Sequence, residues 1–236
     1  MIVCSLHCTP RAAELFKRLQ TCKRLDRPDG AMQNRGMTKL RSICVYCGSS
    51  SGIRPSYVHG AQRLGADMAA AGIRLVYGGG DVGLMGAIAR AVIDNGGRVT
   101  GIIPTFLQRR ERMLTEVEEL IVTRDMHERK RLMFERADAF VALPGGVGTL
   151  EELVEQLTWA QLGQHKRPIV LANIDGFWSR FLEILDHMRS EGFIRPETAV
   201  DVLVADKIED IVPMITQAVE KITKAQMELS VAPGAL

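Results

Sequence analysis

The residues of this 236-residue chain best suited to chemistry are glycines set beside a few charged side chains. Cys47-Gly-Ser-Ser-Ser-Gly52, Tyr77-Gly-Gly-Gly-Asp-Val-Gly-Leu-Met-Gly86 and Pro144-Gly-Gly-Val-Gly-Thr149 each follow an apolar run and precede an amphipathic one. At such a junction the first turn of a helix offers N–H groups without intrahelical partners, and the helix dipole adds positive potential. Both favour an anion. Glycine also lets a phosphate approach the backbone closely. One such turn is equally consistent with tight packing, but several on one edge of a sheet point to a ligand.

The kind of ligand narrows by what is missing. Gly78-x-Gly80-x-x-Gly83 has the form of a dinucleotide fingerprint, yet the following run, Arg98-Val-Thr-Gly-Ile-Ile-Pro104, carries no acidic residue to hold a ribose diol. That speaks against a nicotinamide-dependent dehydrogenase. No G-x-x-x-x-G-K-[ST] occurs, which speaks against a P-loop nucleotidase.

Charges stand in unexpected places. If Asp125 caps a helix, steps of 100° put Arg129 and Lys130 on the same stripe as Met126, Met133 and Ala137. Glu128, Arg131 and Glu135 fall on the opposite, solvated face. Two inward cations cost free energy unless they meet an anion. They form either a structural salt bridge or a clamp for phosphate or carboxylate. Thr149-Leu-Glu-Glu152 has the form of a capping box, so Glu152 could satisfy its own helix. Beside a phosphate-binding turn, a carboxylate makes better sense facing developing positive charge. In that helix Leu150, Leu153, Val154 and Leu157 are the expected buried stripe, and Glu151 and Glu155 the expected solvated positions.

The elements that must position these residues follow from hydrophobic periodicity. Strands are predicted at 41–47, 74–77, 98–103, 118–123, 138–143, 168–174 and 201–204. Helices are predicted at 55–71, 83–95, 125–137, 149–162, 177–190 and 207–225. Ala139-Phe-Val-Ala-Leu143 and Pro168-Ile-Val-Leu-Ala-Asn173 are continuously apolar, as in strands buried on both faces. Repeated βα units imply an α/β fold, a Rossmann-like doubly wound parallel sheet whose ligands bind beyond the strands' carboxyl ends. The expected organisation is one catalytic domain over 40–226, preceded by a mobile extension (1–39) and followed by a tail (227–236).

Composition sets the remaining bounds. A hydrophobic content of 46% and a charged content of 25% belong to an ordinary globular protein. A net charge of +2 gives no reason to expect nucleic-acid or membrane binding. No window resembles a membrane span and the N-terminus does not read as a secretory signal, so a cytoplasmic protein with reduced thiols is expected. Cys4, His7, Cys8 and Cys22 match no familiar metal-site spacing, and no metal is expected. Cys44 and Cys47 form a C-x-x-C inside a strand, where they point to opposite faces, so a redox pair is not expected.

Taken together, Gly78-Gly-Gly-Asp-Val-Gly-Leu-Met-Gly86, Met126-His-Glu-Arg-Lys130 and Pro144-Gly-Gly-Val-Gly-Thr-Leu-Glu-Glu152 resemble the Lonely Guy family of cytokinin-activating phosphoribohydrolases. The resemblance runs from about Leu40 to Ile194 and includes Thr158-Trp-Ala-Gln-Leu-Gly163 and Glu191-Gly-Phe-Ile194. It implies hydrolysis of the N-glycosidic bond of AMP or an N6-prenylated adenosine 5′-monophosphate, to free base and ribose 5-phosphate. It also implies a homodimer or higher homo-oligomer with sites near the subunit interface, and no cofactor. Carried over by position, the catalytic residues are Arg129 and Glu152. The substrate-binding set is Glu111, Arg129, Lys130, Gly145, Gly146, Val147, Gly148, Thr149, Leu150, Glu151, Glu152 and Thr158. The alternative is a non-catalytic nucleotide or pterin-cofactor carrier on the same scaffold. Lysine decarboxylation, a label attached to similar sequences, would need a Schiff-base lysine in a cofactor pocket, and nothing near Lys130 resembles one.

Overall fold

A computed structural model describes residues 39–108, 114, 116–196 and 199–231, all within one compact unit. The expectations for Glu111, for the extension before Lys39 with Cys4, His7, Cys8 and Cys22, and for the end of the tail lie outside the described residues.

The βα rhythm is realised along the chain. The strands are β1 (Ser42–Tyr46), β2 (Arg74–Tyr77), β3 (Val99–Pro104), β4 (Glu119–Thr123), β5 (Ala139–Ala142), β6 (Ile169–Ala172) and β7 (Leu203–Ala205). The helices are α1 (Pro55–Ala70), α2 (Gly83–Asp94), the short α3 (Thr105–Gln108), α4 (Met126–Glu135), α5 (Val147–Gln161), α6 (Ser179–Ser190) and α7 (Ile211–Val231). Helix α3 was not expected, and it occupies a loop position after β3. Helix α7 starts and ends later than predicted. A 3-10 turn over Ile208–Asp210 precedes it, and Pro213 falls in its first turn, where a missing N–H costs no intrahelical bond.

All strands pair in parallel, in the order β4-β3-β2-β1-β5-β6-β7. Parallel neighbours require crossovers, and the helices supply them on both faces. One core packs α1, α2 and α7 against the sheet through Leu64, Met68, Ile88, Val92, Ile211 and Ile215. The other packs α4, α5 and α6 through Met133, Phe134, Leu153, Phe181 and Leu182, with Trp178 at the N-cap of α6. Every residue of β1, β3, β5 and β6 is buried, which explains their unbroken apolar runs. Cys44 lies in the second core and Cys47 in the first, so the C-x-x-C thiols do face opposite sides; both are free.

Strand β1 is the centre of the winding. The chain steps outward from β1 to β4, then returns to place β5 on the other side of β1, in register from Ile43 opposite Ala139 to Tyr46 opposite Ala142. The crevice beyond β1 and β5 is therefore the topological switch point, where such sheets bind ligands.

Candidate active site

Three glycine turns close over that crevice and are tied to one another by backbone hydrogen bonds. Gly48 N–H donates to Pro144 O at 3.1 Å, joining the turns after β1 and β5. Leu84 N–H donates to Gly48 O at 3.1 Å, joining the turns after β2 and β1. Gly83 adopts φ +62, and a Cβ there would overlap the backbone of Ser49 and Ser50, so the contact requires glycine. Arg90 on α2 holds the second turn through both the Asp81 carboxylate and the Asp81 carbonyl.

The turn after β5 starts helix α5 two residues earlier than its sequence suggested. Gly146 is the N-cap, in an extended conformation with no side-chain cap, and Val147 is the first helical residue. Thr149 and Glu152 thus lie inside the helix, and the expected capping box does not form. The N–H groups of the first turn are left for a ligand or water. Gly146 and Gly148 border open space, whereas Thr149 is buried. This exposed, uncapped turn can cradle an anion.

Helix α4 aims its cations at that turn. Asp125 caps it, accepting from Glu128 N–H at 2.8 Å, while the Glu128 carboxylate accepts from Arg124 N–H at 2.9 Å. These reciprocal bonds set the phase of the helix, so Arg129 points inward and is 8% exposed, and Arg131 and Glu135 point to solvent. Arg129 Nε donates to Ile102 O at 3.1 Å. Arg129 Nη1 lies 3.3 Å from Glu152 Oε1, and each side chain is 10% exposed. The inward arginine thus meets a carboxylate of its own chain. This is the salt-bridge reading of the inward cation.

The surroundings of Glu152 shift its ionisation. Burial pushes its carboxyl up to about 7, against the opposing pull of Arg129, with Glu151 and Glu155 pushing further up and Lys130 pulling down. Desolvation wins because an ionised carboxylate away from water needs more than one cation to restore its solvation. A carboxyl held near neutrality in a cleft is suited to acid–base or charge-stabilising work.

Lys130 is half-buried and clamps α4 to α5, with Nζ 2.5 Å from Glu151 Oε1 and 3.0 Å from Glu155 Oε1. Glu151 and Glu155 are therefore ion-paired rather than simply solvated, because α4 packs beside them. Burial lowers the lysine's pKa, but the hydrogen bonds to Glu151 and Glu155 outweigh it and leave the pKa above the ordinary value. The other described lysines are exposed. An ammonium held charged between two carboxylates is disfavoured as the neutral amine that a Schiff-base lysine must supply.

The buried stripe expected on α5 also needs correction. Leu153 is buried and Leu157 half-buried, but Leu150 is 37% and Val154 42% exposed, with Val147 at 84% and Leu162 at 67%. Helical phase explains the difference. Thr149, Glu152, Leu153 and Gln156 share the sheet side, while Val147, Leu150, Val154 and Thr158 share the far side. Thr158 is exposed there, and its hydroxyl donates to Val154 O at 2.8 Å. The structure thus brings Arg129, Lys130, Glu151, Glu152 and the Gly145–Thr149 turn together, and sets Leu150 and Thr158 on the other face of α5. One group that the sequence did not mark completes the site. Ile102 O helps to seat the arginine and left no motif, because the sheet brings it to Arg129, and the Gly78 turn, marked by its glycines, is found against the same guanidinium.

Similarity to other proteins identifies the family and the fold. A family profile described as "Possible lysine decarboxylase" matches residues 85–215. The cytokinin riboside 5′-monophosphate phosphoribohydrolase LOG of Oryza sativa subsp. japonica is 49% identical over 175 residues, 74% of this chain and 72% of that protein. LOG1 of Arabidopsis thaliana, of the same description, is 43% identical over 204 residues, 83% of this chain and 95% of that protein. Among solved structures, the molybdenum cofactor binding protein of Rippkaea orientalis superposes with a TM-score of 0.58 at 23% identity, covering 76% of this chain and 98% of that one. The Moco carrier protein of Chlamydomonas reinhardtii gives 0.59 at 22%, covering 78% and 99%. These two share the fold. By identity and coverage of its relatives, the chain belongs to the Lonely Guy family of cytokinin riboside 5′-monophosphate phosphoribohydrolases.

Proposed function

We propose that this protein hydrolyses the N-glycosidic bond of a nucleoside 5′-monophosphate, AMP or its N6-prenylated derivative, to free base and ribose 5-phosphate. The observation that carries the reading is the buried Arg129–Glu152 pair beside an uncapped, glycine-lined helix N-terminus. Cleavage of a glycoside passes through an oxocarbenium-like state with positive charge near C1′. As the bond from C1′ to the base breaks, water oxygen bonds to C1′. One water proton leaves with the base and the other stays on the new hydroxyl.

Each group has work in that scheme. The backbone of Gly145, Gly146, Val147 and Gly148, with Thr149, holds the 5′-phosphate at the start of α5. Ionised Glu152 stabilises the cationic sugar and orients the attacking water. Arg129 keeps Glu152 in place and offers its remaining donors to substrate. Lys130 and Glu151 border the phosphate turn and hold α4 against α5. Glu111 is retained as a substrate contact on the resemblance alone.

Leu150 and Thr158 enter through assembly. The exposed stripe of Val147, Leu150 and Val154 is a patch that a soluble monomer would rarely leave bare, and a second copy of the chain would cover it. In a homodimer built on this stripe, Thr158 faces the neighbouring subunit. A cytoplasmic setting is part of the same reading. Among the described residues no helix is long and apolar enough to cross a membrane.

A carrier on this scaffold would bind nucleotide and release it intact. Incubating the protein with AMP, with N6-isopentenyl-AMP and with adenosine, then resolving the bases by chromatography, separates the two readings. Free base from the monophosphates, with adenosine cleaved at least about a hundredfold more slowly for want of its phosphate, is the expected result. Intact monophosphates after prolonged incubation would favour the carrier.

A further inference from the structure

Gly78 ends β2 and opens the second glycine turn, yet its own backbone does not need glycine. The neighbouring Gly79 adopts φ +81, whereas Gly78 is not among the residues with positive φ, so an alanine could adopt its conformation. What excludes a side chain is Arg129. A Cβ at position 78 would overlap Arg129 Nη2, and it would lie 3.5 Å from Cζ and 3.1 Å from Met85 Sδ. The guanidinium is thus held on three sides: Nε by Ile102 O, Nη1 by Glu152, and Nη2 against the bare backbone of Gly78.

We propose that Gly78 is a positioning residue for the cleavage reaction, its missing side chain forming the seat that keeps the Arg129 guanidinium against Glu152. This rests on the catalytic roles given above to Arg129 and Glu152. Because the overlap is with the end of a long side chain and not with backbone, a methyl group there displaces the guanidinium and spares the fold. A displaced fork loses the Ile102 bond or lengthens the ion pair, and placement errors near 1 Å at a catalytic group cost about a hundredfold. The displacement also reports itself through Glu152, whose carboxyl Arg129 pulls downward. The other groups that bear on its ionisation are Lys130 from α4, Glu151 and Glu155 on α5, and Cys44, Tyr46 and Cys47 from β1. A substitution at Gly78 touches none of them.

The test compares Gly78→Ala, Arg129→Lys and the double variant, each as the full chain. Turnover of AMP is read by chromatography, and Glu152 ionisation by carbon-13 NMR of labelled glutamate, assigned with Glu152→Gln. Gly78→Ala should fold normally, lose about a hundredfold in turnover, and titrate Glu152 at higher pH than the parent. In the Arg129→Lys background the side chain carries no Nη2, so the added methyl should change turnover by less than roughly threefold. That background also guards against a defect of the turn itself, which would cost the same with either side chain. Parental turnover with parental Glu152 titration in Gly78→Ala would overturn the proposal, as would an equal loss in both backgrounds. If the parent releases no base from AMP or its prenylated form, the cleavage reading falls, and the Glu152 titration still decides whether Gly78 seats Arg129.

Discussion

The Arg129 guanidinium and the Glu152 carboxylate face each other at 3.3 Å, from the second turn of α4 and the second turn of α5, with each side chain 10% exposed. Two residues 23 positions apart thus share one desolvated pocket at the switch point of the sheet. Burial of this kind costs free energy that a surface pair does not, because both ions lose water. The same desolvation strengthens their action on charge that develops between them.

Glu152→Gln removes the charge and keeps the shape. Turnover of AMP should fall at least about a hundredfold with binding of AMP retained. Calorimetric titration and a base-release assay on the same sample would check both halves, and near-parental turnover would remove Glu152 from the mechanism.

The pH profile should carry the signature of this carboxyl. If the ionised form is the active one, kcat/KM rises with pH through about 7, where burial places the group, and falls on acidification. Arg129→Met withdraws the downward pull, so the acid limb should move to higher pH. A limb that stays in place would point to an ionisation of the substrate instead.

Stability of the unliganded protein should run the opposite way. The folded carboxyl titrates at about 7 against an ordinary 4.5, so the native state binds more protons between those values. The stabilising contribution is complete below about 4.5 and is lost as pH rises through 7, on the order of 3 kcal/mol. Urea midpoints at pH 5 and pH 8, for the parent and for Glu152→Gln, measure it. A parent and variant with the same pH slope would argue that Glu152 is not desolvated.

Lys130→Met breaks the clamp between α4 and α5. It leaves Glu155, whose side chain is 21% exposed, without its cation, and Glu155 Oε2 is already buried without a partner. A loss of about 1–3 kcal/mol is expected. Adding Glu155→Gln should recover part of it, since neighbours in one ion network are not additive. Additive losses in urea unfolding would show that the clamp contributes little.

Val154→Glu places a charge in the middle of the exposed stripe on α5. If that stripe joins two subunits, light scattering should show the parent as a dimer or larger oligomer and the variant shifted toward monomer. An oligomer unchanged by the substitution would put the interface elsewhere.

Much of this organisation was legible along the chain. Continuous apolar runs such as Ala139–Leu143 can be satisfied only by burial on both faces, so they declare a parallel sheet without reference to any partner. Arg129 could be placed inward because helical phase follows from Asp125 and Met133 on the same helix. The glycine turns, the Arg-Lys pair and the Gly-Gly-x-Gly-Thr run are likewise local features, and together they marked the family.

Tertiary structure decided what these residues meet. Whether Thr149 caps a helix depends on where the helix begins, and Gly146 begins it too early for Thr149 to cap. Whether Leu150 and Val154 are buried depends on which side of α5 lies against the sheet, and that side belongs to Glu152 and Gln156. Glu155 becomes the partner of Lys130 only because α4 packs beside α5. The pairing of Arg129 with Glu152, and the place of Gly78 beside it, arise because β3, β2, β1 and β5 lie side by side in one parallel sheet. Sequence periodicity specifies the face of each element, while the energy of a buried charge is set by neighbours that lie far away along the chain.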